Sequence, residues 1–289
     1  MAALILLADH TGRLGNKCIL YSHVIAAAEE YGCRVINLSI LPAAHIFEGL
    51  HLNPLGAYPR QFFPFDIRWL TRAFRQLIQR WVLNRRSKGP VAGSWVTLLD
   101  RENQPNLDLH SEEFRQLTLS TKLIVLWGWS FRCSDLVKKH AEIIRPFFRI
   151  RAATAPWARN QVSEAAKKNL QTLAVHIRQG DFRTWEGGKH FVPPERFALY
   201  INNRVSSAST THRVWICSDE PVAAELFHHI DRQNLPRPLR EDLYLMANAD
   251  ILLAGESSLA YFLSFLRHGD SFRLHPTQTS LEEIHADGL

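Results

Sequence analysis

The sequence predicts an α/β fold of two Rossmann-like domains that face each other across a cleft, each built on a parallel sheet. Short apolar runs of strand length alternate with longer segments of helical period through both halves of the chain. The first half opens as strand, glycine loop, helix and strand, a βαβ unit that requires parallel pairing. At 289 residues the chain also exceeds the ~100–200 residues usual for one domain.

The elements follow in order. Ala3–Leu7 reads as a buried strand, DHTGRLGN as a loop, and about Asn16–Tyr31 as a helix ended by Gly32. Arg34–Leu38 is the next strand, and a Pro- and Gly-bearing loop covers Leu41–Pro64. A helix is expected over about Ile67–Asn84, with strands at Ser94–Leu99 and Lys122–Trp127. Arg151–Lys168 contains Pro156, breaks the hydrophobic pattern and marks the junction, giving domains 1–155 and 156–289. Beyond it come strand Leu173–Arg178, a helix over about Glu195–Val205, and strand Arg213–Cys217. Helices Pro221–His229 and Arg240–Ala247, strand Asp250–Leu253 and helix Ser258–Arg267 complete the alternation. Thr277–Leu289 shows no clear period.

Composition narrows the function. A hydrophobic content of 46% and a charged content of 21% belong to an ordinary globular protein rather than a disordered one. The net charge of +6 is local, because residues 60–88 hold eight basic side chains against the single acid Asp66. The remaining 26 basic and 27 acidic residues nearly cancel. A nucleic-acid-coating surface is therefore not expected, and one basic patch is. The four cysteines are far apart, with no CxxC pair and no metal-like spacing, and read as buried free thiols in a reducing compartment. The run ALILLA is too short for a signal peptide, and no apolar stretch reaches the ~18 residues of a membrane span. The expected location is cytoplasmic.

Four stretches carry chemistry. LAVHIRQGDF, residues 173–182, alternates like a strand, so His176 and Arg178 point to one side where the strand opens into a glycine loop. Arg178 suits a phosphate held by two parallel hydrogen bonds, or a salt bridge to Asp181 or Asp219. Asp181 reads as a turn residue. In REDLYLMANADILLAGESSLAYF, a helix with Asp242 leads to a strand, a glycine, and Ser257-Ser258 at a helix start. Free N–H groups and the helix dipole make that start an anion site, and plain capping by either serine is the alternative. In CSDEP, Asp219 and Glu220 stand at a strand end, able to accept from ribose or base, or with Asp219 capping a helix that starts at Pro221. GRLGN, residues 12–16, lacks the third glycine of a dinucleotide fingerprint and reads alone as a tight turn with Asn16 as helix cap.

GRLGN, HIRQGD, SDEP and EDLYLMANAD followed by the serine turn occur in this order in bacterial α-1,2-fucosyltransferases, which the chain resembles over most of its length. The last three stretches also resemble the C-terminal domain of the α-1,6-fucosyltransferases. The resemblance implies a GT-B fold, GDP-fucose as donor, inversion at the anomeric carbon, a glycan or glycolipid acceptor, and no metal or other cofactor. Carried over residue by residue, it implies that Arg178 contacts the β-phosphate with His176 in support. Asp242 would accept from guanine, Asp219 would hold the nucleoside, and Ser257 and Ser258 would take phosphate oxygens, with Gly12 and Asn16 lining the cleft opposite. The base is implied to be Glu186, in the loop after HIRQGD, with Asp9 and His10 as alternatives. Glu256 puts a negative charge beside the serine turn, compatible with bound phosphate only if it faces away. Other readings are a GT-B enzyme using another nucleotide sugar, or a non-catalytic nucleotide-binding relative.

The basic segment RWLTRAFRQLIQRWVLNRR places Leu70, Phe74, Leu77, Ile78 and Trp81 on one helical face and Arg68, Arg72, Arg75 and Arg86 toward another. It is either a domain helix with its apolar stripe in the core or a peripheral contact with an anionic bilayer at the inner membrane face.

Overall fold

The computed structural model describes residues 3–8, 12–61, 68–86, 95–100, 107–207, 212–227, 237–267, 269–276, 281–284 and 289. The chain divides into two compact units, one holding the residues up to Arg149 together with Leu289, the other beginning at Ile150. The division falls ahead of the expected 155/156 junction. The pattern-breaking segment is itself a helix, Pro156–Lys167, with proline in its first turn where no N–H is needed.

In the first unit, β1 (Leu4–Leu7) is followed by α1 (Leu14–Tyr31) and β2 (Arg34–Asn37). After two 3₁₀ turns come β3 (Ala57–Tyr58), α2 (Arg68–Arg86), β4 (Val96–Asp100), α3 (Glu112–Ser120) and β5 (Leu123–Trp127). Helices α4 (Ser134–Lys139) and α5 (Ala141–Phe147) complete it. The strand order is β3-β2-β1-β5-β4, parallel except for β3 on β2. Helix α1 is buried from Cys18 to Ala28, which explains its nearly uniform apolar sequence. It ends where Gly32, at φ 66°, donates its N–H to the Ala28 carbonyl. Arg13, not Asn16, holds the cap position, so Asn16 lies within the first turn and does not cap the helix.

Helix α2 corrects the expected apolar stripe. Ile78, Trp81 and Val82 pack on the core beside Leu98, Val125 and Trp127, and the Gln79 side chain donates to the Ala8 carbonyl at 3.3 Å. Arg75 turns toward this packed side, its Nε buried. Phe74 and Leu77 stay out, 40% and 62% exposed. The stripe read as continuous is therefore split between core and surface.

In the second unit, α6 (Pro156–Lys167) precedes β6 (Gln171–Ile177), α7 (Pro194–Ser207) and β7 (His212–Ser218). There follow α8 (Leu239–Asn248), β8 (Ile251–Ala254), α9 (Ser258–Leu266), β9 (Asp270–Leu274) and β10 (Leu281–Glu283). The order is β10-β9-β8-β6-β7, parallel apart from β10 on β9. Leu173, Val175 and Ile177 of β6 pack with Phe197, Ala198 and Ile201 of α7, so the alternation sends His176 to the opposite face. The expected helix Pro221–His229 is a 3₁₀ turn at Ala224–Leu226, with residues 228–230 outside the described residues. Strand β10 lies in the stretch without visible period, because a three-residue edge strand is too short to show one.

All four cysteines are buried and free. Among the described residues no helix is long and apolar enough to cross a membrane.

The first unit is closed beside β3 by an aromatic cluster. Phe148 stands edge-on to Tyr21, Phe47 and Phe147, with centroids 5.8, 5.5 and 5.3 Å away. Phe148 is fully buried, so Phe148→Ala should lower the unfolding free energy by about 3–5 kcal/mol. Urea denaturation followed by circular dichroism measures this, and a loss well under 1 kcal/mol would show that the cluster does not hold the unit together.

Candidate functional site

Three parallel strands end side by side. Ile177 pairs with Ser218 and His176 with Ala254, so Arg178, Asp219 and Gly255 leave the same carboxyl edge as neighbours. From β6 the chain goes to β7 on one side and then returns to β8 on the other. Strand order therefore reverses at β6, and such reversals open a ligand crevice at the carboxyl edge.

At the exit of β6, Asp181 Oδ1 accepts from Arg178 Nε at 3.0 Å and Nη2 at 2.9 Å. Asp219 Oδ2 lies 3.5 Å from Nε, while its Oδ1 accepts the Gln179 N–H at 2.8 Å. The guanidinium is thus fixed by two carboxylates through Nε and Nη2, and among the described residues no partner of Nη1 is seen. The salt-bridge reading of Arg178 holds for both named acids. Asp219 does not cap the expected helix, since the described residues just after Pro221 form only the 3₁₀ turn Ala224–Leu226. Gly180 lets the loop pass, because a Cβ there would stand 3.0 Å from Asp219 Oδ2. Glu220 pairs with Arg183, so the SDEP acids reach toward the HIRQGD loop.

His176 lies beneath Arg178. Its side chain is buried, with Nε2 unpartnered among the described residues. Burial first, and then the Arg178 charge, push its pKa down to about 4. It is neutral at pH 7.

At the exit of β8, Ser257 caps α9, its Oγ accepting the Ala260 N–H at 3.1 Å. Ser258 is the first helical residue. The capping and anion-site readings coexist, since a hydroxyl that accepts from Ala260 still has a proton to donate. Glu256 faces away from the turn: Oε2 meets His190 Nδ1 at 2.9 Å and Oε1 meets Arg273 at 3.5 Å.

Glu186 lies in the loop after β6 at φ 50°, ψ 39°, followed by Gly187 and Gly188, also at positive φ. Its carboxylate pairs with Lys189 and lies 3.4 Å from His190 Nε2. The hydrogen bond from Lys189, aided by His190, holds its pKa below the usual carboxylate range. Such a carboxylate is ionised at neutral pH but weak as a base.

Asp242 is buried against Arg237, whose Nε and Nη2 reach Oδ1 at 2.9 and 2.8 Å. Burial raises its pKa to about 6 against the opposing pull of Arg237. Arg237 also stacks over Trp157 at 4.9 Å. In the first unit, Gly12 adopts φ 79°, and a Cβ there would approach the Asn16 side chain to 3.2 Å, so the two residues are neighbours. Asp9 and His10 lie outside the described residues.

The structure thus gathers Arg178, Asp181 and Asp219 into one cluster, and links Glu186 to Glu256 through His190. Sequence reading missed His190 and Arg237. The spacing of His190 four residues after Glu186 was a readable signal, whereas Arg237, between Pro236 and Pro238, offered none.

Because His176 is held neutral when folded, its contribution to stability is complete above its unfolded pKa of about 6.5 and is lost as pH falls through about 4. Asp242, with its folded pKa raised, acts with the opposite sign between about 4 and 6. Comparing wild type with His176→Gln isolates the first term. The wild type should lose up to about 3 kcal/mol more than the variant between pH 7 and pH 4. Parallel pH profiles in chemical denaturation would refute this.

No protein-family model and no curated protein sequence matches the chain. Solved structures do. POFUT1 in complex with GDP-fucose aligns with a TM-score of 0.51 at 11% identity, over 93% of this chain and 94% of that one. A mutant of Arabidopsis thaliana FUT1 in complex with GDP gives 0.52 at 10% identity, over 97% and 72%. The fucosyltransferase NodZ from Bradyrhizobium gives 0.50 at 14% identity, over 98% and 99%. The two α/β units with their largely parallel sheets thus follow the GT-B fold of the fucosyltransferases.

Proposed function

We propose that the protein transfers L-fucose from GDP-fucose to a glycan or glycolipid hydroxyl, with inversion and without a metal ion, and with α-1,2 preferred to α-1,6 linkage. The observation that carries this reading is the shared carboxyl edge where Arg178, Asp219 and the Ser257 cap of α9 come together. One displacement accounts for the chemistry. The acceptor oxygen bonds to the anomeric carbon as the bond from that carbon to the β-phosphate oxygen breaks, through an oxocarbenium-like transition state. Arg178 and the free N–H groups of α9 take up the charge growing on the departing diphosphate, the role a metal would otherwise fill. Ser257 and Ser258 add hydroxyl donors, and neutral His176 supports the Arg178 strand from below. Glu186 receives the acceptor proton, with Asp9 and His10 as alternatives. Gly12 and Asn16 belong to the acceptor-side domain.

A second nucleotide remains in contention on one specific observation. Asp242, the guanine partner in this reading, already has Oδ1 engaged by Arg237. Thermal-shift comparison of GDP, UDP, ADP and CDP separates the two, with stabilisation by GDP above the rest expected.

Helix α2 supports a peripheral membrane contact on the cytoplasmic face. Phe74 and Leu77 are exposed on a helix rich in arginine, with Arg80 and Arg85 also exposed, and a basic amphipathic surface complements anionic headgroups. Flotation with phosphatidylglycerol liposomes should recover the wild type and lose the Leu77→Glu, Arg80→Glu double variant. Equal flotation of both would remove α2 from the contact.

Arg178→Ala should lower fucose transfer by ~10²–10³-fold or more. Its partners Asp181 and Asp219 are 41% and 28% exposed, so water can take over their charges and the fold should survive. Transfer from GDP-fucose should also persist in EDTA. A variant that keeps most of its rate would overturn the assignment of Arg178, and abolition by EDTA would overturn metal independence.

A further inference from the structure

The loop after β6 carries an aromatic surface that the donor chemistry does not use. Trp185 is 49% exposed, yet its ring is not loose. It stacks on His190 with centroids 4.9 Å apart at 25°, and on Phe182 at 5.8 Å and 24°. Phe182 and His190 are themselves 6.1 Å apart. Rings sandwiching the indole would stand much farther apart than this, so Phe182 and His190 crowd one side of it and do not enclose it. The part of the indole that these rings leave uncovered is its open face.

The supports beneath it are themselves pinned. His190 is held by Glu256 at Nδ1 and by Glu186 at Nε2. Phe182 lies under the Arg178 guanidinium, 5.3 Å from its ring centroid. Binding on the open face therefore costs little ordering of the indole. Next to it in the chain, Glu186 pairs with Lys189, and the two side chains are 44% and 60% exposed.

We propose that the open face of Trp185 is the seat for a pyranose ring of the acceptor. A pyranose has an apolar C–H face edged by hydroxyls. That matches a flat indole, apolar in its body, in a loop where the neighbouring Glu186 carboxylate can accept and the Lys189 ammonium can donate. The site lies two contacts from Arg178, through the Phe182 ring. A nucleobase is the other flat ligand such a ring accepts. It fits less well, because Glu256 draws His190 toward the exit of β8, whereas Asp242 and Arg237 lie against Ile216 and Cys217 of β7, across β6. The proposal rests on the glycosyltransferase reading for its biological sense, but sugar binding is measurable without it.

Saturation-transfer NMR with lactose, N-acetyllactosamine and chitotetraose, without nucleotide, tests the seat on wild type, Trp185→Ala and Trp185→Phe. GDP titration is run beside it. At least one oligosaccharide should bind the wild type. Trp185→Ala should weaken that binding tenfold or more, Trp185→Phe should largely restore it, and GDP affinity should stay within twofold throughout. Equal sugar binding by Trp185→Ala, no binding of any of the three sugars to the wild type, or loss of GDP binding in Trp185→Ala would each overturn the proposal. Trp185-dependent sugar binding in a protein that ignores GDP would leave the seat standing and remove the fucosyltransferase reading instead.

Discussion

A guanidinium shared between two carboxylates at the end of β6 is the contact on which the candidate site depends. Asp219 uses one oxygen for the Gln179 N–H and the other for Arg178, so the exits of β6 and β7 are locked together by one side chain. Asp181 then fixes the guanidinium from within its own loop. Partly exposed ion pairs contribute only ~0–1 kcal/mol to stability. The value of this cluster lies in orientation. It holds a charged, planar donor at the point where strand order reverses, and a bound phosphate can add to or replace Asp181 at modest cost.

The neighbouring exit is arranged by a second set of charges. A helix N-terminus carries roughly half a positive charge, and a carboxylate placed directly on it would compete with any anionic ligand. Glu256 precedes the α9 cap by one residue, but His190 and Arg273 draw its carboxylate off the turn. His190 also reaches Glu186, so one imidazole bridges the β6 loop and the β8 turn. The result is an anion-favouring helix start with its nearest acid turned aside, and a loop held rigid enough to keep three successive residues at positive φ.

Much of the sheet framework is legible in the sequence because apolar runs of strand length leave a strong local signal. β1, β2, β5, β6, β7 and β8 fall within a residue or two of their expected limits, and the Ser257 cap is readable from its place after a strand and a glycine. What escapes is set by contacts distant in sequence. The split stripe of α2 depends on which side meets Leu98 and Trp127, and nothing in the helix encodes that. The region around Pro156 reads as a break, yet α6 forms because its proline sits where a helix tolerates one. For the site, residue types are legible and partnerships are not. Arg178 and Asp219 can be named from strand ends, but the Arg237–Asp242 pair and the His190 bridge exist only after folding.

The central claim is that the carboxyl edge of β6 and β8 holds a diphosphate. Calorimetric titration of the whole protein with GDP and with guanosine tests it most directly. If Arg178 and the α9 N-terminus clamp the diphosphate, GDP should bind at least a hundredfold more tightly than guanosine. Equal affinities, or no binding of GDP, would contradict the account.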